Sequence, residues 1–420
     1  MSNLRNTHNR LIRIIGLVTI AVFGILITLG SGGGGGDGGG TSGPQPLTYS
    51  GSTSPTAITL TNAPILVGNV LYGGISSTNI PLPAGASATP SEAQAGNVAV
   101  VSKHLLAILQ NSLDDLTGVP ISGLSIPAAV QIPVDVDETF YCEQGYYTLK
   151  GIAYVDDVTF DMTGTLAFNY VNCLTEGVTY NGSGDFIINW MNLLSPDIDA
   201  TMSFVIMTIS STEFNGTISG NMRLQASVIG NTETDIMTMN YVAKDNNTGK
   251  MFKFEGLVMT MIVDDVYNPN SSGSIIFSGS PARVYDSVYG YVVVDTKSAL
   301  LYSDVNLIYP DDGGVMTFTG ENNSSITLTV VSGRHVILQL DLDGDTVVDE
   351  TRYVLWEELS VNAGTDLTDT DGDGMHDSWE TTYGLDPNFD DSADDLDLDT
   401  FSNLTEYQSG TNPNDAASHP

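Results

Sequence analysis

Six residues near the end of the chain, Asp369, Asp371, Asp373, Gly374, Asp377 and Glu380, fit D-x-D-x-D-G-x-x-D-x-x-E without a mismatch. Carboxylates at alternate positions of a tight loop converge on one point. Such an oxygen ring suits a hard divalent cation, and the 12-residue spacing predicts Ca²⁺. It assigns side-chain oxygens from Asp369, Asp371 and Asp373, the backbone carbonyl of Met375, Asp377 directly or through water, and Glu380 as the bidentate closing ligand. A shift of 26 residues repeats the set as Asp395, Asp397, Asp399, the carbonyl of Phe401, Asn403 and Glu406. The register continues beyond the loop, because Gly384 maps onto Gly410 and Pro387-Asn388 onto Pro413-Asn414. The two loops are therefore a duplication. Thr400 replaces the turn glycine, which is expected to strain the second loop and weaken its site.

A partial third loop holds Asp341, Asp343, Asp345 and Asp349, but Arg352 stands where the closing Glu belongs. Apolar runs at 335–340 and 353–356 flank it, so it reads as a hairpin tip, either a weak Ca²⁺ site or an ordinary Asp-Gly turn. Short helical stretches follow the two full loops, at 378–383 and 402–409, each ended by a glycine suited to a left-handed C-cap. Only an exiting helix is present in each unit. On these loops, helices and Asp-Pro and Asn-Pro spacers, residues 366–415 resemble the thrombospondin type 3-like and dockerin-like Ca²⁺ repeats of exported bacterial proteins. The resemblance implies Ca²⁺ binding over about an eighth of the chain and says little about biological role. A dockerin would imply a cohesin partner, but no dockerin-type recognition residues are identifiable here. The bland alternative is an acidic, solvated tail.

Other chemistry finds little support. There is no G-x-S-x-G elbow, no H-E-x-x-H, no phosphate-cradling loop, and there are five histidines in all. The acid pairs Asp156-Asp157 and Asp264-Asp265 cannot face one another across a cleft, because adjacent strand residues point opposite ways. The expectation is that the chain is not an enzyme. His104 has no second metal-ligand type one helical turn away and is read as a boundary or surface histidine.

The elements that carry these loops are mainly β. From about residue 140 to 356 the apolar pattern has period two, most cleanly at 159–170, where Phe160, Met162, Leu166, Phe168 and Tyr170 alternate with polar residues. Further runs at 198–209, 216–228, 236–242, 251–263, 274–284, 288–294, 300–309, 315–319, 326–331 and 335–340 imply a long antiparallel meander, forming a curved sheet, sandwich or barrel. Asn181-Gly182, Asn215-Gly216 and Thr248-Gly249 are read as turns. Thr89-Pro90-Ser91-Glu92 opens one amphipathic helix with a capping box, its apolar face at Val98, Val101, Leu105, Ile108, Leu109 and Leu116. Residues 89–360 thus form a β-rich body with a leading helix. Cys142 and Cys173 are the two cysteines and are expected to pair as a disulfide, with free thiols or a two-Cys metal site as the alternative.

Arg5, Arg10 and Arg13 precede an apolar run at 14–29, the layout of an export signal spanning 1–30. It is either cleaved before Ser31 or kept as a membrane anchor through 14–29. Ser31 stands where a lipidated Cys would be in a lipoprotein signal. Residues 31–88 read as a Gly/Ser/Pro-rich linker and a loosely ordered segment. Fifty Asp+Glu against 13 Lys+Arg give a net charge of −37, which repels phosphate backbones and excludes nucleic acid as a partner.

Two functions fit these residues. One is an exported, Ca²⁺-binding structural or adhesive protein of the cell envelope or extracellular space, its protein or surface partner unknown. The other is a carrier that holds an apolar ligand against a methionine-rich sheet, because Met202, Met207, Met237, Met239, Met259 and Met261 cluster in the body.

Overall fold

The computed structural model describes residues 45–75 and 131–419, less 157–158, 176, 194, 196, 212–214, 269, 304–309, 312, 333–334, 357–358, 360–368 and 410. The signal, the Gly run and the helix expected to start at Thr89, with His104, lie outside the described residues. Among those residues no helix is long and apolar enough to cross a membrane.

The fold is the mainly β meander that period-two patterning demands. Eight long strands run in sequence: β1 (Gln131–Tyr141), β2 (Gln144–Asp156), β3 (Asp161–Thr175), β4 (Val178–Asn192), β5 (Ile198–Ser210), β6 (Asn215–Ile229), β7 (Thr232–Asp245) and β8 (Met251–Val263). Each pairs antiparallel with the next. At β8 the sheet forks. Its second half pairs with β9 (Gly273–Ser278) and its first half with β10 (Arg283–Asp286), and β12 (Leu300–Tyr302) pairs with β9. The path then continues through β11 (Gly290–Ser298), β13 (Val315–Thr319), β14 (Ser325–Ser332), β15 (His335–Asp341) and β16 (Glu350–Leu355). β1 and β16 stand at its two ends, so the path leaves the sheet open.

Alternation decides what is buried. On β3, Met162, Leu166, Phe168 and Tyr170 are buried, and on β5 so are Met202, Phe204, Met207 and Ile209. Met222, Met237, Met239 and Met259 join the same continuous core, with Met261 half-buried against it. Soft, unbranched side chains suit the uneven gaps of a twisted sheet. Cys142 and Cys173 form a disulfide, Cα atoms 5.4 Å apart, joining the β1–β2 turn to β3. Such bonds persist outside the reducing cytosol, which makes this an exported protein.

Several sequence expectations are corrected. The stretch read as loosely ordered contains a helix, α1 (Ala63–Ile75), whose Leu66, Val67, Val70 and Leu71 are buried in the core. Its described side chains are all buried and all but Asn69 are apolar, so it shows no amphipathic period. Its Asn69 Nδ2 donates to Asp286 Oδ2 (3.1 Å), which also takes Lys250 at 3.0 Å. Asn181-Gly182 lies inside β4 rather than at a turn. The Asn181 side chain accepts from the Asn172 N–H where β3 bulges. Asn215-Gly216 opens β6, whereas Thr248-Gly249 is a turn, with Gly249 at φ +77°. The run at 274–284 divides into β9 and β10 on either side of Gly279-Ser280-Pro281.

Candidate metal centre

Two short helices follow the acidic loops, α2 (Asp377–Tyr383) and α3 (Asn403–Ser409). His376 caps α2, its Nδ1 accepting from the Trp379 N–H at 3.2 Å, and Gly384 ends the helix in the left-handed conformation at φ +80°. The helices meet through Trp379 and Tyr407, ring centroids 5.0 Å apart, over the buried Met375. Asn414 Nδ2 donates to the Tyr383 carbonyl (2.8 Å), tying the end of the second repeat to the end of the first helix. Tyr407 Oη donates to the Tyr353 carbonyl on β16, which seats the pair on the sheet.

The loops fold alike because equivalent side chains cap amides at nearly the same spacing. In the first, Asp369 accepts from the Gly372 and Gly374 N–H groups, Asp371 from Asp373, Asp373 from Met375, and Asp377 from Thr370. In the second, Asp395 accepts from Asp399 and Thr400, Asp397 from Asp399, Asp399 from Phe401, and Asn403 from Leu396. The hairpin tip between β15 and β16 repeats the scheme: Asp341 takes Gly344 and Thr346, Asp343 takes Asp345, Asp345 takes Val347, and Asp349 takes Leu342. Gly374, Thr400 and Thr346 occupy equivalent positions at φ +95°, +84° and +73°. Only the first has a residue free of strain there.

Asp371, Asp373, Asp397 and Asp399 each spend one oxygen on the backbone and keep the other buried and unpartnered, whereas Asp369, Asp395 and Asp341 bond amides through both. Candidate ligand oxygens of Asp369, Asp371 and Asp373 lie within 4.8 Å of one another, as do those of Asp395, Asp397 and Asp399, and those of Asp341, Asp343 and Asp349. A further group joins Asp373, Glu380 and Asp391. These groups can hold a metal ion. Asp377, Glu406 and Asp345 are not among the converging oxygens. At Asp377 both oxygens face Thr370, at 2.8 Å to its N–H and 2.6 Å to its hydroxyl. Glu380 and Glu406 are fully buried. At the equivalent place in the hairpin, Arg352 pairs with Glu350 (3.0 Å) and reaches Asp369 (4.0 Å), so no carboxylate closes that loop.

Electrostatics of the first two loops favour a positive centre. Burial, with Asp373 and Asp371 beside it, pushes the Glu380 carboxyl up to about 8. Burial and the neighbouring Asp397 and Asp399 push Glu406 up to about 7, and burial with Asp371 pushes Asp373 up to about 6. Buried carboxylate oxygens of Asp371, Asp373, Glu380, Asp391, Asp397, Asp399 and Glu406 have no hydrogen-bond partner. Among the described residues, every buried carboxylate oxygen in that state lies in this module. A buried charge left so would cost several kcal/mol, and a divalent cation removes the cost.

Asp391 was not legible in the sequence, because it lies between the repeats beside Asp390 and shares neither motif's spacing. Of the acid pairs weighed for catalysis, Asp156 ends β2 and accepts from the Thr159 N–H (2.9 Å), Asp265 accepts from Tyr267 (3.1 Å) in the loop after β8, and Asp157 lies outside the described residues.

No family model matches the chain, and no solved structure does. Over 136 residues the chain is 31% identical to Probable pectate lyase C of Emericella nidulans, a stretch covering 32% of this chain and 31% of that protein. The chain thus matches under a third of that relative's length. The relative is named for an enzyme, and this corrects the expectation that the chain is not one. That expectation rested on missing hydrolase, metalloprotease and phosphate-loop signatures, and a lyase need carry none of them.

Proposed function

We propose that this is an exported Ca²⁺-binding protein of the cell envelope or extracellular space, with residues 366–415 as a tandem, thrombospondin type 3-like module seated on a β-sheet body of structural or adhesive role. The observation that carries the reading is the set of buried, unpartnered carboxylate oxygens converging in both loops. Oxygen-only donors in a 12-residue loop favour Ca²⁺ over the smaller Mg²⁺, which demands stricter octahedral geometry. The first site draws on Asp369, Asp371, Asp373, the Met375 carbonyl, Asp377 and Glu380. The second draws on Asp395, Asp397, Asp399, the Phe401 carbonyl, Asn403 and Glu406. Extracellular modules of this kind bind at about 10⁻⁴ to 10⁻³ M, so millimolar Ca²⁺ is the working range. The test compares the full chain in EDTA and in millimolar Ca²⁺, reading Trp379 fluorescence and the protease resistance of the module. Both should rise with Ca²⁺, and identical readings would overturn the assignment.

The likeness to a protein named as a pectate lyase supports a second reading, in which the chain acts on a pectate-like acidic polysaccharide. Incubation with pectate in Ca²⁺ should then release unsaturated sugar ends. A chain that binds Ca²⁺ yet leaves pectate intact would retain only the first reading.

A further inference from the structure

Resting on the Ca²⁺ reading above, we infer that Asp391, outside both loop motifs, is a ligand of the first ion and couples the two sites. Three observations meet at this residue. Its carboxylate lies in one group with Asp373 and Glu380, ligand atoms within 4.8 Å of one another. Glu380, fully buried with neither oxygen hydrogen-bonded, points into that group, so the space between the three calls for a cation rather than for protein donors. Asp391 Oδ1 is itself buried without a partner, while Oδ2 accepts from the Asp386 N–H at 3.3 Å, which aims the carboxylate.

The backbone of Asp391 carries the effect onward. Its carbonyl accepts from Asn403 Nδ2 at 2.9 Å, and the Oδ1 of that amide holds the Leu396 N–H of the second loop. Leu404 N–H donates to the Ser392 carbonyl, and the Leu404 side chain lies beside Gly374 of the first turn. An ion that draws Asp391 in therefore orders the segment joining the repeats and sets the Asn403 side chain of the second site. The first ion is expected to bind before the second and to raise its affinity.

Calorimetric titration of the full chain with CaCl₂ decides this, comparing the native protein with Asp391→Asn, Asp390→Asn and Asp391→Glu. Asp390 is exposed and bonds only within its own turn, to Ser392, so its change removes the same charge without removing a ligand. Even outer-shell groups cost 10–100-fold in metal affinity when removed, so Asp391→Asn should weaken the first site at least about 10-fold. Asp390→Asn should stay within about threefold of native, and the second site should weaken only in Asp391→Asn. Equal effects of the two Asn variants would overturn the ligand role. If Asp391→Asn leaves the module protease-sensitive at saturating Ca²⁺, Asp391→Glu, which keeps the carboxylate, decides. Recovery of the first site supports the role, and a loss equal to that of Asn overturns it. A native chain that binds no Ca²⁺ would instead sink the parent reading, a separable outcome.

Discussion

Thr400 and Gly374 occupy the same point of the two loops, and both backbones turn left-handed there. A β-branched residue in that conformation costs about 1–2 kcal/mol, which the second loop must carry whenever it closes on an ion. Thr400→Gly is therefore expected to tighten the second site about 5- to 30-fold in a calorimetric titration, leaving the first unchanged. On the proposed reading, Glu380→Gln should weaken Ca²⁺ binding at least about 10-fold, since it neutralises a fully buried carboxylate with neither oxygen hydrogen-bonded. It should cost more total occupancy at millimolar Ca²⁺ than Glu406→Gln, because the Thr400 site is already the poorer one. These loop residues were legible because a loop of alternating carboxylates is written in short spacing that no distant contact alters. Asp391 was not, because its part depends on where the chain returns after α2, and nothing in the local pattern distinguishes it from Asp390 or Asp394.

At the scale of elements, the proposed Ca²⁺ loops set protons and metal in competition for the same carboxylates. The Glu380 carboxyl is raised from an ordinary 4.5 to about 8, so the metal-free fold holds a proton that the unfolded chain releases. Its contribution is present below about 4.5 and is lost as pH rises toward 8. In EDTA the module should resist protease better at low pH than at high pH, and Ca²⁺ affinity should climb across the same window as protons leave. The opposite trend in either would contradict the assignment. The sheet holds a buried carboxyl of the same kind. Glu233 on β7 is 4% exposed, and burial, with Asp235 two residues along the same face, pushes its carboxyl up to about 8. Glu233→Gln should raise the melting temperature at pH 8 and change it little at pH 4. The strands themselves were readable from alternation. α1 was not, because a helix buried on every side has no polar face to give it a period. β1 was obscured by Pro133, Asp135 and Asp137. Among the described residues it pairs with β2 alone, at an edge where proline and charge discourage further pairing.

Across the whole molecule, the disulfide closes a separation of 31 residues, worth about 3.5 kcal/mol in the chain-entropy account. Thiol titration of the denatured, unreduced protein should find no free cysteine, and replacing both cysteines by alanine should lower stability by about that amount. The meander order carries a consequence for how the chain comes to be folded. Each of the first eight strands bonds the one that follows it in sequence, so little loop-closure entropy opposes any single pairing. A polypeptide threaded through a membrane, amino end first, can add strands one at a time as they emerge. The segment before β1 obeys a different clock. Ser52, Thr56 and Asn69 bond to Ser287, Tyr291 and Asp286, more than 200 residues away, so the first part to appear must wait for β10 and β11. Its amides are expected to be among the last protected in pulsed hydrogen exchange during refolding, and during export that exposed apolar helix is what a chaperone beyond the membrane would meet first.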